Sequence, residues 1–112
     1  MSDPSSIFTR LMQVVESRKH ARAENSYTQT LFDGGVDATG AKLCEEAGEL
    51  VEAARLAGGE GRGAVVHEAA DLVYHLFVLL ADRGVALADV EGELERRFGT
   101  SGLTEKARRT GR

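Results

Sequence analysis

This chain has a single proline, a single cysteine and no excess of positive charge, and each shortage excludes something. The proline, Pro4, lies near the start, so no proline ring interrupts helices over the rest of the sequence. Cys44 has no partner for an internal disulfide, which fits a reducing compartment. A net charge of -4 disfavours nucleic-acid binding, which needs basic surface to neutralise phosphates. The longest strongly apolar stretch, Leu72 to Ala81, is broken by His75 and is too short to span a bilayer, so no membrane partner is expected. Met1-Ser2-Asp3-Pro4 lacks a basic region followed by an apolar one. No signal peptide is therefore expected, and the location expected is cytoplasmic. An alternating strand pattern is also missing.

What is present is ordinary for a soluble globular protein: 42% hydrophobic and 29% charged residues in 112. That length makes one domain able to bury roughly 65% of its unfolded surface. The spacing predicts helices. Ser5 or Ser6 caps a first helix to about Arg22, with Ile7, Leu11, Val14 and Val15 on one side. Ser26 caps a short helical turn through Phe32, and Asp33-Gly34-Gly35 stops it. Asp37 caps the next helix, to about Ala57, and the glycine-rich residues 58–63 read as a flexible connector. A long helix from about Ala64 to Arg83 ends at Gly84, a usual place for glycine just past a helix. A last helix, Leu87 to Phe98, has Asp89 and Glu91 near its amino end and Arg96 and Arg97 near its carboxyl end, as the dipole prefers. The expectation is an all-α antiparallel helical bundle over residues 1–98. A basic tail over residues 99–112, with Lys106, Arg108, Arg109 and Arg112, is expected to be mobile.

The informative feature is acid. Glu45, Glu46, Glu49 and Glu52 follow Lys42 within one helix. At a hundred degrees per residue, Glu49 lies about 40° from Glu45, Glu52 about 20° to the other side and Glu46 about 100° away. All four share roughly a third of the circumference. A wet acidic face explains such a run equally well, because charge runs are usually solvated. Against that, like charges one turn apart cost about 0.2–0.5 kcal/mol per pair, and only Lys42 and Arg55 offer local relief.

The next helix shifts the balance. Glu68 and Asp71 share one side of a segment otherwise apolar nearly all round, which reads as buried. Buried acids need a cation. Hard ions such as Mg2+ prefer carboxylate oxygens, and such an ion screens an acidic wall from an anionic phosphate substrate.

Other chemistries fit less well. There is no Glu-x-x-His pair for a di-iron site. His67-Glu68-Ala69-Ala70-Asp71 approaches the zincin pattern but has aspartate where the second histidine belongs, so His67 reads as a surface or interface residue. His75 lies on the acid stripe, where a lone buried histidine is more often a satisfied core residue than a catalyst. Cys44 reads as a small core residue. The glycine run follows no strand and ends in no Gly-Lys-Ser/Thr, so it is not a phosphate loop. Arg18, Lys19 and Arg22 end the first helix, where they either complement its dipole or seat a substrate phosphate.

At these residues the chain resembles the MazG-type all-α nucleotide pyrophosphohydrolases, marked by Glu-Glu-x-x-Glu and, on a later helix, Glu-x-x-Asp. Glu45-Glu46-x-x-Glu49 and Glu68-x-x-Asp71 match every acidic position. Ser26-Tyr27-Thr28, with Ala70-Asp71-Leu72-Val73-Tyr74-His75-Leu76, is similar to the phosphoribosyl-ATP pyrophosphatase branch of histidine biosynthesis. Cys44 and Gly48 depart from the Gly and Ala expected there, small changes that leave the acids in place. The length and the lack of further cysteines leave no cyclohydrolase, so the stand-alone form is expected.

The resemblance implies Mg2+-dependent hydrolysis of phosphoribosyl-ATP to phosphoribosyl-AMP and pyrophosphate, with Mn2+ able to substitute. It implies Glu45, Glu49, Glu68 and Asp71 as metal ligands, with Glu46 and Lys42 in catalysis. Arg18, Lys19, Arg22, Tyr27 and His75 are candidate substrate-binding residues. Glu52 is not required by the motif. A homodimer is expected from the family and because the acidic face points away from its own apolar stripe. The competing readings are a house-cleaning nucleoside-triphosphate pyrophosphatase and a non-catalytic acidic interaction module.

Overall fold

The computed structural model describes residues 6–20, 26–56, 58–98 and 109. Among these there are four helices and no strand: α1 (Ile7–His20), α2 (Tyr27–Ala54), α3 (Gly58–Asp82) and α4 (Leu87–Arg97). Arg22 and nearly all of the basic tail lie outside the described residues.

Ser6 starts α1 by accepting a hydrogen bond from the Thr9 amide at 3.3 Å. The side that α1 buries is not quite the expected one. Met12 and Val15 are buried, whereas Ile7 and Val14 are exposed. Ser26 caps α2 in the same way, accepting from the Gln29 amide. The stop expected at residues 33–35 is only a kink: Gly35 takes φ 71° and ψ -160°, and the helix resumes beyond it. Fully buried Thr39 reaches back across the kink and donates to the Leu31 carbonyl at 3.4 Å.

The glycine run is not a flexible connector. It forms the first turns of α3. Gly58 turns the chain with φ 78°, a conformation that favours glycine. Gly61 lets the new helix press on the end of the old one, because a Cβ there would lie 2.6 Å from the Leu56 carbonyl oxygen. The result is a tight helical hairpin in which α2 and α3 run antiparallel. At the far end of α3, Gly84 (φ 69°) donates to the Ala81 carbonyl and Val85 to the Leu80 carbonyl, the paired bonds of a Schellman cap. Lys19 of α1 adds its ammonium to the same Ala81 carbonyl at 2.6 Å, tying α1 to that terminus.

The core gathers at one end. Met12 and Val15 of α1, Leu31 of α2, and Phe77, Val78 and Ala81 of α3 form it, with Leu87 of α4 at its edge. The Phe8 and Phe77 rings meet edge to face at 6.0 Å. α4 buries no residue; Asp89 accepts from the Ala86 amide at its start and Glu93 holds Arg96 and Arg97.

Away from that end, α2 and α3 continue as a two-helix arm. Among the described residues from 41 to 74, only Glu46, Ala53 and Gly61 are buried. The expectation that α3 is buried all round is therefore not met within one chain: only 22% of its most apolar window is covered. By length and composition alone α3 could cross a membrane; here it is the helix against which both α1 and α2 pack. The physical reason for its exposure is that one partner helix can cover only one side of another.

The Gly61 contact gives a paired prediction. Gly61→Ala forces backbone apart and should lower stability by about 1–3 kcal/mol. Gly63→Ala, where the added methyl meets nothing within 4 Å, should raise it by about 0.5–1 kcal/mol through helix propensity. Urea denaturation of the two variants measures both signs.

Candidate metal centre

The acids gather on the facing sides of the arm. Ligand atoms of Glu45, Glu46 and Glu49 lie within 4.8 Å of one another, and so do those of His67, Glu68 and Asp71. The two groups join where the Glu49 carboxyl contacts Glu68 of α3 as well as Glu46 of its own helix. Every acid of the sequence motif is thus brought to one place. Glu52 is drawn elsewhere, paired with Arg55 at 2.7 Å on the open surface.

Glu46 is the odd member. Its side chain is 8% exposed, and its Oε2 is buried with no hydrogen-bond partner. A buried carboxylate oxygen left empty is expensive unless something cationic faces it. Lys42 helps only partly: its ammonium is 3.3 Å from Glu45 Oε1 and 3.8 Å from Glu46 Oε1. The hydrogen bond to Glu45 raises the Lys42 pKa, against some desolvation. The charge of Glu46 raises the Glu49 pKa, followed by desolvation and the charge of Glu45. The donor set is almost wholly carboxylate oxygen, with one buried oxygen free and negative charge in excess. That set fits a hard divalent cation.

Glu68 and Asp71 are only half-buried, the Asp71 side chain being 40% exposed, because α3 is covered on one side alone. His67 is exposed, as a surface residue should be, and its Nε2 lies 3.3 Å from Asp71 Oδ2. The signal for this contact was present: His67 and Asp71 are one helical turn apart. Cys44, expected in the core, is exposed, since it lies on the flank of α2 turned away from the core end.

His75 is buried and saturated. Its Nδ1 is 2.7 Å from the Asp71 carbonyl oxygen, which can only accept, so Nδ1 carries the proton. In the neutral ring Nε2 is then the acceptor, and the Tyr27 hydroxyl, 2.8 Å away, is its donor. Tyr27 itself is half-exposed, its ring braced by Tyr74 at 6.3 Å and by His75 at 5.8 Å. Burial raises the Tyr27 pKa, while the nearby Lys42 charge opposes the rise. Thr28 hydrogen-bonds the Tyr74 hydroxyl beside this cluster.

Of the basic cluster on α1, Arg18 is exposed and Lys19 is occupied by Ala81. That carbonyl lies thirteen residues beyond Glu68, roughly 20 Å along α3. The structure therefore does not bring Lys19 to the acids.

The charge of Glu46 on Glu49 is directly measurable. In Glu46→Gln, the Glu49 pKa should fall back toward the ordinary carboxylate value, read by NMR titration of the side-chain carboxyl carbons. An acid whose folded-state pKa is raised binds more proton folded than unfolded, so its contribution to stability falls as pH rises through that interval. Glu46→Gln should flatten this part of the stability profile without added metal.

Comparison with known proteins agrees with this geometry. A family model described as phosphoribosyl-ATP pyrophosphohydrolase matches residues 8–98. A phosphoribosyl-ATP pyrophosphatase of Rhodopirellula baltica is 51% identical over 100 residues, covering 89% of this chain and 83% of the relative. Those of Parvibaculum lavamentivorans and Geobacter sulfurreducens are 51% and 45% identical over 109 residues, covering 97% of this chain and 97% and 98% of theirs. With all five motif acids assembled and the match running from α1 to the end of α4, the chain belongs to the phosphoribosyl-ATP pyrophosphohydrolase family.

Proposed function

We propose that this chain hydrolyses phosphoribosyl-ATP to phosphoribosyl-AMP and pyrophosphate, a step of histidine biosynthesis, using Mg2+ held by Glu45, Glu49, Glu68 and Asp71. The substrate reading is supported by the names of its relatives over nearly their full length. The metal reading is carried by one observation: the buried, unpartnered Glu46 Oε2 beside a Glu49 that already faces Glu68. When bound, Mg2+ or Mn2+ neutralises phosphoryl oxygens and makes a coordinated water more acidic.

The chain's own residues divide the remaining work. Glu46 accepts a hydrogen bond from the attacking water at its free Oε2 and orients it. Lys42, held between Glu45 and Glu46, balances the acids and meets a phosphate of the substrate. Tyr27 offers a braced aromatic ring next to Lys42, and His75 fixes that ring through its hydroxyl. Arg18 of α1 is left to receive a substrate phosphate, with Arg22, outside the described residues, a further candidate from the sequence. The enzyme is read as soluble and cytoplasmic, as a biosynthetic step on a small nucleotide requires.

A homodimer completes this reading. Val51 of α2, Leu56 just past its end, and Val66 and Leu76 of α3 are exposed apolar side chains that a second copy could cover. Glu68 and Asp71 would then be desolvated as the sequence pattern suggests. Sedimentation at micromolar concentration should give a dimer; monomer alone would overturn this.

The decisive assay is pyrophosphate release from phosphoribosyl-ATP with saturating Mg2+, beside a panel of ordinary nucleoside triphosphates. Phosphoribosyl-ATP should be strongly preferred, whereas a flat profile would favour a house-cleaning pyrophosphatase. Glu49→Gln and Asp71→Asn should each lose about a hundredfold or more in turnover, since even residues behind metal ligands cost about 10–100-fold. Turnover near wild type in both would remove the assigned ligands. Mg2+ should also raise the melting temperature of the wild type, and less so that of Glu49→Gln.

A further inference from the structure

Of the near-zincin sequence His67-Glu68-Ala69-Ala70-Asp71, only His67 plays no part in the assignment above, yet the fold places it beside Asp71. His67 Nε2 stands 3.3 Å from Asp71 Oδ2, and Glu68 completes three donor atoms mutually within 4.8 Å. Imidazole and carboxylate ligands sit about 2.0–2.2 Å from a zinc-sized ion, so two neighbouring ligands of one ion lie about 3.0–3.4 Å apart. The His67–Asp71 separation falls inside that span.

An exposed pair one turn apart can reach such a distance with no ion present. The second observation concerns what lies behind it. Glu68 is in contact with Glu49, and Glu46 next to Glu49 leaves a buried oxygen without a partner. Carboxylates gathered in this way call for positive charge beyond what Lys42 supplies, and Glu68, which touches that group, is also in the group of His67 and Asp71.

We propose that His67 is a nitrogen ligand, with Asp71 and Glu68, to one divalent ion of this site. The consequence is an uneven site. Glu45, Glu46 and Glu49 offer oxygen only, suited to Mg2+, while the α3 group offers one nitrogen and two oxygens. An imidazole nitrogen favours Co2+ and Zn2+ strongly over Mg2+, and Mn2+ more weakly. This chain therefore prefers such ions at the α3 position. The inference rests on the reading of the acids as a metal centre, and its test separates the two.

His67 is 73% exposed, so His67→Ala leaves the fold unchanged. Mn2+ alone is titrated into the full chain and followed by electron paramagnetic resonance, with Mg2+ as competitor. In the wild type, bound Mn2+ should show coupling to a nitrogen nucleus, and His67→Ala should abolish it. The variant should bind Mn2+ about tenfold or more weakly, with Mg2+ affinity changed less than about threefold. Nitrogen coupling that persists in His67→Ala, or an unchanged ratio of Mn2+ to Mg2+ affinity, overturns the role of His67 alone. If the wild type binds neither ion, the metal centre itself is overturned, and this inference with it.

Discussion

Two helices here press like charge against like charge. Glu49 of α2 contacts Glu68 of α3, with Glu45, Glu46 and Asp71 around them, and Lys42 set against the α2 acids. A fold tolerates this when the helices are held together elsewhere. The holding is done by the core of Met12, Val15, Leu31, Phe77, Val78 and Ala81, and at the other end by the tight turn at Gly58 and Gly61. Between those two anchors the acids have nowhere to retreat. In the proposed metal centre, repulsion that would splay a free pair of helices is stored instead as affinity for a cation.

The Tyr27–His75 hydrogen bond links the two regions. It joins the first turn of α2 to α3 one turn beyond Asp71, and the histidine spends its other nitrogen on the Asp71 carbonyl. Backbone at a proposed metal ligand is thereby tied to the best-packed part of the molecule. His75 behaves as the satisfied buried histidine that its setting suggested. Its influence on the site runs through geometry rather than through proton transfer, since both ring nitrogens are engaged.

Much of this was legible in the residues, for identifiable reasons. Ser6, Ser26 and Gly84 mark helix boundaries because local hydrogen bonding decides boundaries. The spacing of Glu45, Glu49, Glu68 and Asp71 gave one face on each of two helices, and antiparallel packing brought the faces together. Most of the failures share a cause: they turned on packing between elements rather than on spacing within one. Glycines 58–63 looked like a connector until Leu56 was seen pressing on Gly61. α3 looked buried because its composition is apolar, but burial depends on how many partners are present, and a single chain supplies too few for its outer side. Lys19 was open to two readings, and its bond to the Ala81 carbonyl is one that neither foresaw. The contact of His67 with Asp71 was missed by measuring its angle from Glu68, although its angle from Asp71 is small.

Gly35 has a consequence of a different kind. In an unbroken helix Leu31 and Glu46, fifteen residues apart, would differ by a fixed angle of about 60°. Any residue added or lost between them would swing the acids around the axis. The break at Gly35 cancels that phase, so α2 behaves as two rods joined at a pivot, with Thr39 pinning the second rod to the first. The core sets the direction of one rod and the carboxylates set the rotation of the other. Stability and chemistry are thereby written on separate lengths of the same helix.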